Sequence, residues 1–413
     1  MTKQPKLTRA DRDRLRAGGY DSIVLEGAGG ITTSPVWSKV AGAGTTDRIL
    51  VIVELSGGND GLNTVIPHGD DAYYRHRPQL GIRRENLIEI DDHFGFQRTM
   101  RGFERLYKDG RMGIVHGVGY DQPSFSHFSS MAFWQTGAPN SGEAHGWLGR
   151  MADAIDPLGH NANFLVNIDD HQSLAVNAKD HVPLVFDDPN KFTRQMFEEQ
   201  AAMMDAVDQR GNGDANPALD FLKEIAASAS TSEQLVRDAW ASYRTPVDYG
   251  LAPWGLEKVA ALIAADFPTQ VYYVPYRNNA FDTHVYQKDP HARLWSYTSD
   301  HIAAFIADMD RLGRGDDVVL MAFSEFGRRV PENTSLGTDH GTAGTAFVIG
   351  NPIAGGHYGA VPSLEDLDDG NLKYTTDFRR IYSTLISGWM GHDTPSAILN
   401  DEFAPLPVFD RPG

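Results

Sequence analysis

The sequence predicts an α/β fold in which a mostly parallel central sheet lies between helices. Three observations support this prediction: short β-rich apolar runs recur, amphipathic helical stretches separate them, and Gly- or Asp-containing loops follow several runs. Strands that alternate with helices favour a parallel sheet. With 413 residues, of which 41% are hydrophobic, the chain is long enough to bury a large core.

The predicted strands are short apolar runs, and several end at loops rich in small or polar residues. The first run stops at Ser-Gly-Gly-Asn-Asp-Gly, which is typical of a buried strand that opens an α/β fold. The runs are Ile49–Leu55, Met112–Gly117, Phe164–Ile168, Gln270–Pro275, Asp317–Phe323 and Thr345–Gly350. In open α/β sheets the carboxyl ends of such strands carry the chemistry, so the loops after them are the first places to search.

The helical stretches divide into those between the strands and a helical insertion. Ser126 is a candidate N-cap for a helix over about residues 127–134, and Thr376 for a closing helix. The other predicted helices are Arg293–Leu312, the closing helix Thr375–Met390 and, within an insertion at about residues 188–267, Lys191–Val207, Pro217–Ser230, Ser232–Tyr243 and Leu256–Ala265. Residues 1–47 are interpreted as an N-terminal arm and residues 48–413 as the main domain.

Composition restricts the partners and the metal chemistry. A formal net charge of -18 repels phosphate backbones and argues against nucleic acid, and no apolar run is long enough for a membrane span. A small anionic substrate remains compatible, because a bound cation can invert the local field. Without cysteine, any metal is held by His and carboxylate, which favours zinc, manganese, magnesium or calcium. A homo-oligomer is left open.

Three separated segments offer metal ligands. Asp60 follows the first strand in a tight loop, although Asp-Gly is also ordinary turn chemistry. Asp282 and His284 are two apart, so in an extended segment both point to one face. Asp339 and His340 are adjacent, and the flanking glycines give the backbone freedom that two neighbouring ligands need. Surface pairs and turns are the alternative interpretations of these segments.

Ser124 and Ser126 are the candidate nucleophiles. A serine at a helix N-terminus lies beside unpaired N–H groups and the positive end of the helix dipole, which would also hold a phosphate or sulfate. Plain N-capping is the alternative. His127 could be a ligand, a base or an ordinary helix residue.

Glu325 and Arg328 follow a strand that we expect to be central. The arginine could bind an anionic oxygen in bidentate fashion, or the two residues could form an internal ion pair. His357 follows two glycines, so it could complete a second metal site or be an exposed loop residue. The segment Gly27–Gly30 lacks the spacing of a phosphate loop, and Gly-x-Ser-x-Gly is absent, which argues against a nucleophile elbow.

Several longer motifs resemble the bacterial family called domain of unknown function 1501. They occur in the family's order over about residues 48–392. The motifs are Leu55-Ser-Gly-Gly-Asn-Asp-Gly-Leu-Asn-Thr64, Val65-Ile-Pro67, Tyr73-Tyr74, Arg77-Pro78, Val115-His-Gly-Val-Gly119, Ser126-His-Phe128, Trp134-Gln-Thr-Gly137, Gly146-Trp-Leu-Gly-Arg150, Phe281-Asp-Thr-His284, Ser324-Glu-Phe-Gly-Arg328, Thr338-Asp-His-Gly-Thr-Ala343 and Thr376-Asp-Phe-Arg379.

That family looks like a branch of the alkaline phosphatase superfamily, which includes sulfatases. The resemblance implies an alkaline-phosphatase-like fold with one or two divalent metals at the strand ends. It matches Asp60 and the Asp339–His340 pair to one half of the site, Asp282 and His284 to the other half, and Ser126 to the nucleophile. The narrow Asp282–His284 spacing departs from the superfamily pattern, and only His357 is available as the late histidine of the second site.

The sequence thus favours a metal-dependent hydrolase of a phosphate or sulfate ester, with zinc as the first choice of metal. The alternatives are a different metal-dependent lyase, isomerase or C–O or C–N hydrolase on the same scaffold, or a non-catalytic binding protein. No apolar signal-peptide segment follows the charged first residues, so a cytoplasmic location is the default expectation, although members of the family are typically exported.

Overall fold

The computed structural model describes residues 48–192, 232–250 and 255–409. Its strands form one large sheet and three small ones. In chain order they are β1 (Ile49–Leu55), β2 (Val65–Ile66), β3 (Leu87–Glu89), β4 (Gly95–Gln97), β5 (Met112–Gly119), β6 (Leu165–Asn167), β7 (Leu184–Val185), β8 (Val271–Tyr276), β9 (Val318–Phe323), β10 (Gly327–Arg328), β11 (His340–Gly341), β12 (Gly344–Ile349), β13 (Gly356–Tyr358), β14 (Leu367–Asp368), β15 (Asn371–Leu372) and β16 (Thr376–Asp377).

The large sheet has the strand order β13-β5-β12-β9-β1-β8-β6-β7, and β16 also pairs with β5. Strand β12 is antiparallel to both of its neighbours, and all the other pairs in this sheet are parallel. The predicted mostly parallel sheet is therefore confirmed. As a consequence of these directions, the carboxyl ends of β1, β5, β8 and β9 lie at the same edge of the sheet.

Strand β1 lies in the middle of the sheet and shows why the apolar runs are continuous. All seven of its residues are buried. Val51 and Val53 pack into one core cluster, and Leu50 and Ile52 pack into another on the opposite face. A strand that is covered on both faces needs apolar side chains at every position. Each such side chain contributes roughly 1.5–3 kcal/mol by leaving water.

Helices cover both faces of this sheet. They are α1 (Asp71–His76), α2 (Arg101–Lys108), α3 (His127–Thr136), α4 (Trp147–Ile155), α5 (residues 232–242), α6 (Leu256–Ala264), α7 (Lys288–Leu312), α8 (Arg379–Thr384) and α9 (Pro395–Leu399). Within the described ranges, none of these helices has the length and apolar character that a membrane span requires. Helices α2, α6 and α7 pack on one face of the sheet, and α3, α4 and α8 on the other.

The predicted helix boundaries agree with the structure in part. Ser126 is the N-cap of α3, as predicted, whereas α7 begins five residues earlier than expected. The predicted closing helix Thr375–Met390 is wrong at its start, because Thr376 and Asp377 extend the sheet as β16 and α8 begins only at Arg379. The carboxylate of Asp377 accepts the N–H of Arg379, which holds this junction.

The insertion is only partly described. Helices α5 and α6 lie where helices were predicted. The predicted helix Pro217–Ser230 and the N-terminal arm at residues 1–47 lie outside the described residues, as does the predicted helix Lys191–Val207 beyond residue 192. The first described part of that segment is a short 3-10 turn over Pro189–Lys191.

Candidate metal centre

The candidate site lies at the carboxyl-end edge of the large sheet, where four parallel strands end. Each of these strands leads into a loop that carries polar residues, namely Ser56–Asp60 after β1, Phe125–His127 after β5, Asp282–His284 after β8 and Ser324–Glu325 after β9. His340 joins them from β11, which pairs with β10. Residues far apart in sequence meet here because parallel strands place their carboxyl ends together.

Three histidines of the site share one arrangement: the Nδ1 atom of each lies at hydrogen-bond distance from an oxygen that can only accept. With the imidazole proton on Nδ1 and facing such an acceptor, Nε2 is free to bind a metal through its lone pair. The pairs are His127 with Oε1 of Glu325 at 2.7 Å, His284 with Oδ1 of Asp339 at 3.3 Å, and His340 with the carbonyl oxygen of Phe125 at 2.8 Å.

The three Nε2 atoms point towards Asp282. Nε2 of His284 lies 3.0 Å from Nε2 of His340 and 3.0 Å from Oδ1 of Asp282. Nε2 of His340 lies 3.2 Å from the same oxygen. Nε2 of His127 is buried, makes no hydrogen bond, and lies 3.4 Å from Oδ2 of Asp282. With the protons on Nδ1, these nitrogens face the carboxylate with no hydrogen atom between them, an arrangement that a bound cation would stabilise. Nη1 of Arg328 lies 3.4 Å from Nε2 of His284 and supplies a positive charge at one side of the cluster.

The donor set fits a divalent metal. Ligand atoms of His127, Asp282 and His340 all lie within 4.8 Å of one another, close enough to share one ion. Imidazole nitrogen and carboxylate oxygen are ligands that zinc accepts in proteins. Backing of each imidazole by an outer acceptor is the usual support of such ligands. These three residues, with His284 beside them, would hold the ion.

Glu325 fixes the orientation of His127 and is itself fixed by the loop after β1. Its carboxylate accepts the backbone N–H groups of Gly57 at 2.9 Å and Gly58 at 3.0 Å. Both glycines have positive φ, and a Cβ on Gly57 would lie 2.5 Å from the backbone nitrogen of Asp282. Only glycine fits this close approach, which explains the Gly-Gly pair in the first loop.

Arg328 is fully buried. Its guanidinium hydrogen-bonds to other parts of the site and is not free to bind a substrate anion. Its guanidinium donates to the carbonyl oxygens of Gly58 at 2.6 Å and Thr338 at 2.8 Å, and to Oδ1 of Asp282 at 2.7 Å. Further bonds reach the carbonyls of Gly57 and Phe281. Of the two roles open from sequence, the geometry favours the internal ion pair, although its partner is Asp282 and not Glu325.

Asp60 does not join the cluster. It is completely buried, and its Oδ2 forms an ion pair with Arg77 at 2.6 Å and accepts the side-chain amide of Gln287. Burial raises the pKa of Asp60, but Arg77, His291 and Gln287 together lower it, and the net direction is down. The structure thus places the predicted early ligand in a buried ion pair. Asp339 likewise contacts the cluster only through its bond to His284.

Local charges shift the titration of the cluster. The hydrogen bond to Glu325 raises the pKa of His127, whereas burial lowers that of His340. Burial raises the pKa of Asp282 and Arg328 lowers it, and the resulting pKa lies below its usual range. The cluster therefore keeps its carboxylate ionised, as a metal ligand must be.

The two serines before α3 differ in their contacts. Oγ of Ser124 accepts the backbone N–H of Ser126 at 3.2 Å. Ser126 is exposed, and its own side chain makes no capping hydrogen bond although it occupies the N-cap. The carbonyl of Phe125 and the ring of His127, on either side of Ser126, are both bound to the cluster. Ser126 is therefore the serine held beside the cluster with a free hydroxyl.

An open cleft of about 420 Å³ begins at this serine. It shares Ser126, His127 and Glu325 with the site and runs along one side of α3. Its lining consists of Ser56, Phe125, Ser126, His127, Phe128, Met131, Ala132, Gln135, Asn279 and Glu325. The cleft thus gives a small molecule access to Ser126 and to the ring of His127.

His357 belongs to a different place. It lies on β13 and is half-buried, so the expectation of an exposed loop residue is wrong. Its Nδ1 lies 2.7 Å from Nε2 of His116, and its Nε2 lies 3.0 Å from Asp91 and 3.0 Å from the hydroxyl of Tyr107. Sequence reasoning gave these three partners no role, because they lie on separate elements, β5, α2 and the loop after β3, that meet His357 only in the folded chain.

Comparison with known proteins identifies the family. The family model described as a protein of unknown function, DUF1501, matches residues 47–385, which is most of the chain. This chain belongs to the DUF1501 family. No functionally curated protein matches the chain significantly.

Several solved structures are distantly similar to this DUF1501 protein. The lipoteichoic acid synthase LtaP from Listeria monocytogenes is 11% identical with a TM-score of 0.36, covering 74% of this chain and 65% of the other. A protein in the alkaline phosphatase superfamily from Vibrio parahaemolyticus is 11% identical with a TM-score of 0.33, covering 76% and 62%. Each match spans less than two thirds of the other protein.

A third similar structure is the C-terminal periplasmic domain of EcEptC from Escherichia coli in complex with Zn. It is 13% identical with a TM-score of 0.37, covering 86% of this chain and 88% of the other. Likenesses at this distance assign no reaction, metal or substrate to the DUF1501 protein.

Proposed function

We propose that the protein is a metal-dependent hydrolase of a phosphate or sulfate ester. The observation that carries the proposal is the convergence of three Nε2 atoms and the Asp282 carboxylate beside the free hydroxyl of Ser126. A cluster of this composition at strand ends, open to a cleft, combines a ligand set and a nucleophile in one place. Membership of the DUF1501 family and its resemblance to the alkaline phosphatase superfamily support the same reaction class.

The ion would be held by His127, Asp282 and His340, with His284 available as a further ligand. Zinc is our first choice, and manganese, magnesium and calcium are the alternatives. When bound, a divalent ion supplies Lewis-acid stabilisation of an ester oxygen and lowers the pKa of a hydroxyl beside it. Glu325 and Asp339 would keep the imidazoles oriented through their Nδ1–H groups.

Ser126 would act as the nucleophile. Attack by its Oγ forms a bond to phosphorus or sulfur, the ester oxygen leaves as the alcohol, and the proton of the serine ends on that alcohol. Water then hydrolyses the seryl ester. Ser124 is less suited, because its hydroxyl already accepts the N–H of Ser126.

The anionic group would be recognised by backbone rather than by arginine. The first backbone N–H groups of α3 have no acceptor inside the helix. They lie at the helix N-terminus, which is the positive end of the helix dipole. An anion at a helix N-terminus is favoured for these two reasons. Arg328 is not free for this role, since its guanidinium binds internal carbonyls and Asp282.

The experiment is turnover of aryl phosphates and aryl sulfates by the zinc-loaded protein, with bound metal measured in the same samples. Ser126→Ala should lose roughly three orders of magnitude or more in kcat and keep its metal. The matched control, Ser124→Ala, removes a hydroxyl two residues away and should retain most of the activity. Full activity in metal-depleted protein, or in Ser126→Ala, would refute the proposal.

One observation favours a second candidate, hydrolysis of a less charged C–O or C–N bond on the same scaffold. None of the described residues that line the cleft is a lysine or arginine. A substrate that carries little charge needs no such cation. Turnover of carboxylic esters or amides, in the absence of any phosphate or sulfate turnover, would select this candidate.

A further inference from the structure

The cleft beside the metal centre has two different walls. One wall is formed by α3, whose residues 128, 131, 132 and 135 line the cleft. These positions follow the i, i+3, i+4, i+7 spacing, so a single face of the helix looks into the cleft. Most of this wall is apolar, being formed by Phe128, Met131 and Ala132.

The apolar side chains around the site are unusually exposed. Phe128 is 91% exposed and Phe125 is 45% exposed. Among the described residues nine large hydrophobic side chains are exposed, and four of them lie within two positions of His127 or His284. Scattered exposed hydrophobic residues need no explanation, but a group that borders a catalytic cluster indicates a binding surface.

The second wall comprises the polar lining residues outside α3 that the structure describes, and none of these is a lysine or arginine. It is formed by Ser56 and Asn279, whose side chains hydrogen-bond to each other at 2.8 Å. At the far end of the cleft, the amide of Gln135 donates to Oε2 of Glu54 at 2.9 Å. Glu54 is buried, and burial raises the pKa of its carboxyl to about 7. The ionisable side chains near this wall, Glu54 and Glu325, are both carboxylic acids.

We propose, on the basis of the function proposed above, that the cleft holds the alcohol part of the ester and selects an uncharged, ring-containing alcohol. Its flat apolar face lies on Phe128 and Met131, and its hydrogen-bonding edge faces Ser56, Asn279 and Gln135. Phe128 can contact such a ring in an offset-stacked or edge-to-face arrangement. An alcohol with a second anionic group is rejected, because it meets acidic side chains and no cation.

The test uses phosphonates that cannot be hydrolysed, titrated calorimetrically into the zinc-loaded full-length protein. Benzylphosphonate should bind at least about tenfold more tightly than ethylphosphonate, because the ring contacts the apolar wall. The analogue 4-carboxybenzylphosphonate should bind roughly tenfold more weakly than benzylphosphonate, because like charges repel across the cleft. Equal affinity for the ethyl and benzyl compounds would overturn the proposal.

Substitutions assign the selectivity to the two walls. Phe128→Ser should bring the benzyl-to-ethyl affinity ratio close to one. Its matched control is Leu158→Ser, which removes another largely exposed hydrophobic side chain, 77% exposed, outside the cleft and should keep the ratio. Gln135→Lys should reverse the discrimination against the carboxyl compound, since it adds a cation to the cleft. An unchanged ratio in Phe128→Ser contradicts the proposed apolar wall.

A separate arm distinguishes failure of this inference from failure of the proposed function. If no phosphonate binds, the phosphate-ester function loses its support, and the alcohol site is tested alone with benzyl alcohol and 4-(hydroxymethyl)benzoate by NMR titration. Preference for benzyl alcohol that disappears in Phe128→Ser would support the inference about the cleft. Absence of that preference would overturn it.

Discussion

Two places in this molecule bring histidines together, and they differ in where the ring nitrogens point. At the candidate metal centre, His127, His284 and His340 direct their Nε2 atoms towards Asp282, and acceptor oxygens lie next to their Nδ1 atoms. At the β5–β13 edge, His357 bonds to His116 through Nδ1 and to an aspartate through Nε2. The first arrangement converges on one point, whereas the second forms a chain.

The surroundings of the two places also differ. Phe94 stacks on His116 at 4.8 Å and on His357 at 5.1 Å between ring centroids. His116 is buried, and burial lowers its pKa to about 3. The candidate metal centre instead adjoins a cleft, which shares His127 with it. Convergence of ring nitrogens on one carboxylate and an adjoining cleft, rather than the number of histidines, therefore distinguish the candidate metal centre from the β5–β13 edge.

Loss of bound metal is the largest effect that we expect to distinguish the two groups of histidines. His340→Ala removes a ligand and should abolish stoichiometric zinc binding. His357→Ala should retain it, because the ligand atoms around His357 lie along a chain. Elemental analysis of both variants after gel filtration measures the difference. Loss of zinc in His357→Ala, or retention in His340→Ala, would contradict the proposed location.

Asp60 provides a second test, because its carboxylate is already paired with a cation, the guanidinium of Arg77. Asp60→Asn leaves Arg77 buried and unpaired, which should lower the free energy of unfolding by about 3–5 kcal/mol. The zinc content should not change. Urea denaturation and elemental analysis measure the two effects, with the exposed Asp393→Asn as the control. A loss of zinc with no loss of stability would restore Asp60 as a ligand.

The carboxylates that contact the histidines of the two groups should also differ in their effect on zinc affinity. Glu325→Gln weakens the orientation of His127 and should reduce zinc affinity by about 10–100-fold. Asp91→Asn alters the corresponding contact to His357 and should leave zinc affinity as it is. Competition titrations with a zinc chelator measure both variants. Equal losses in the two variants would argue against a special role for Glu325.

The smallest expected effect is a pH dependence of stability from His116. Its pKa is lower in the folded than in the unfolded protein, so below about pH 6.5 only the unfolded chain takes up the proton readily. The contribution of neutral His116 to the free energy of unfolding is complete above that pH. This contribution falls as the pH drops towards 3, by about 2 kcal/mol between pH 7 and pH 5. His116→Gln should flatten this part of the profile of urea midpoints, whereas exposed His160→Gln should not.

Much of the fold could be predicted because two-sided burial leaves a continuous apolar run in each central strand. The run Ile49–Leu55 shows this directly. The antiparallel direction of β12 could not be predicted, since direction leaves no periodicity in a sequence. The start of α8 was missed for a related reason: Thr376 and Asp377 pair with β5, which is a long-range contact.

The segments that contribute to the site could be predicted from the order of the strands along the chain. Asp282, His284 and His340 meet because their loops follow strands or hairpins at one edge. Adjacent side chains diverge, so His340 faces the cluster while Asp339 turns to support His284. The pairing of Asp60 with Arg77 depends on the folded loop and could not be read from either residue alone.

The most direct test of the metal centre is anomalous X-ray scattering at the zinc edge from crystals of the zinc-loaded protein. We expect one ion bonded to Nε2 of His127, Nε2 of His340 and the carboxylate of Asp282, at about 2.0–2.2 Å. An ion bound through Asp60, or a zinc-saturated protein with no anomalous peak among these three side chains, would contradict the proposed metal centre.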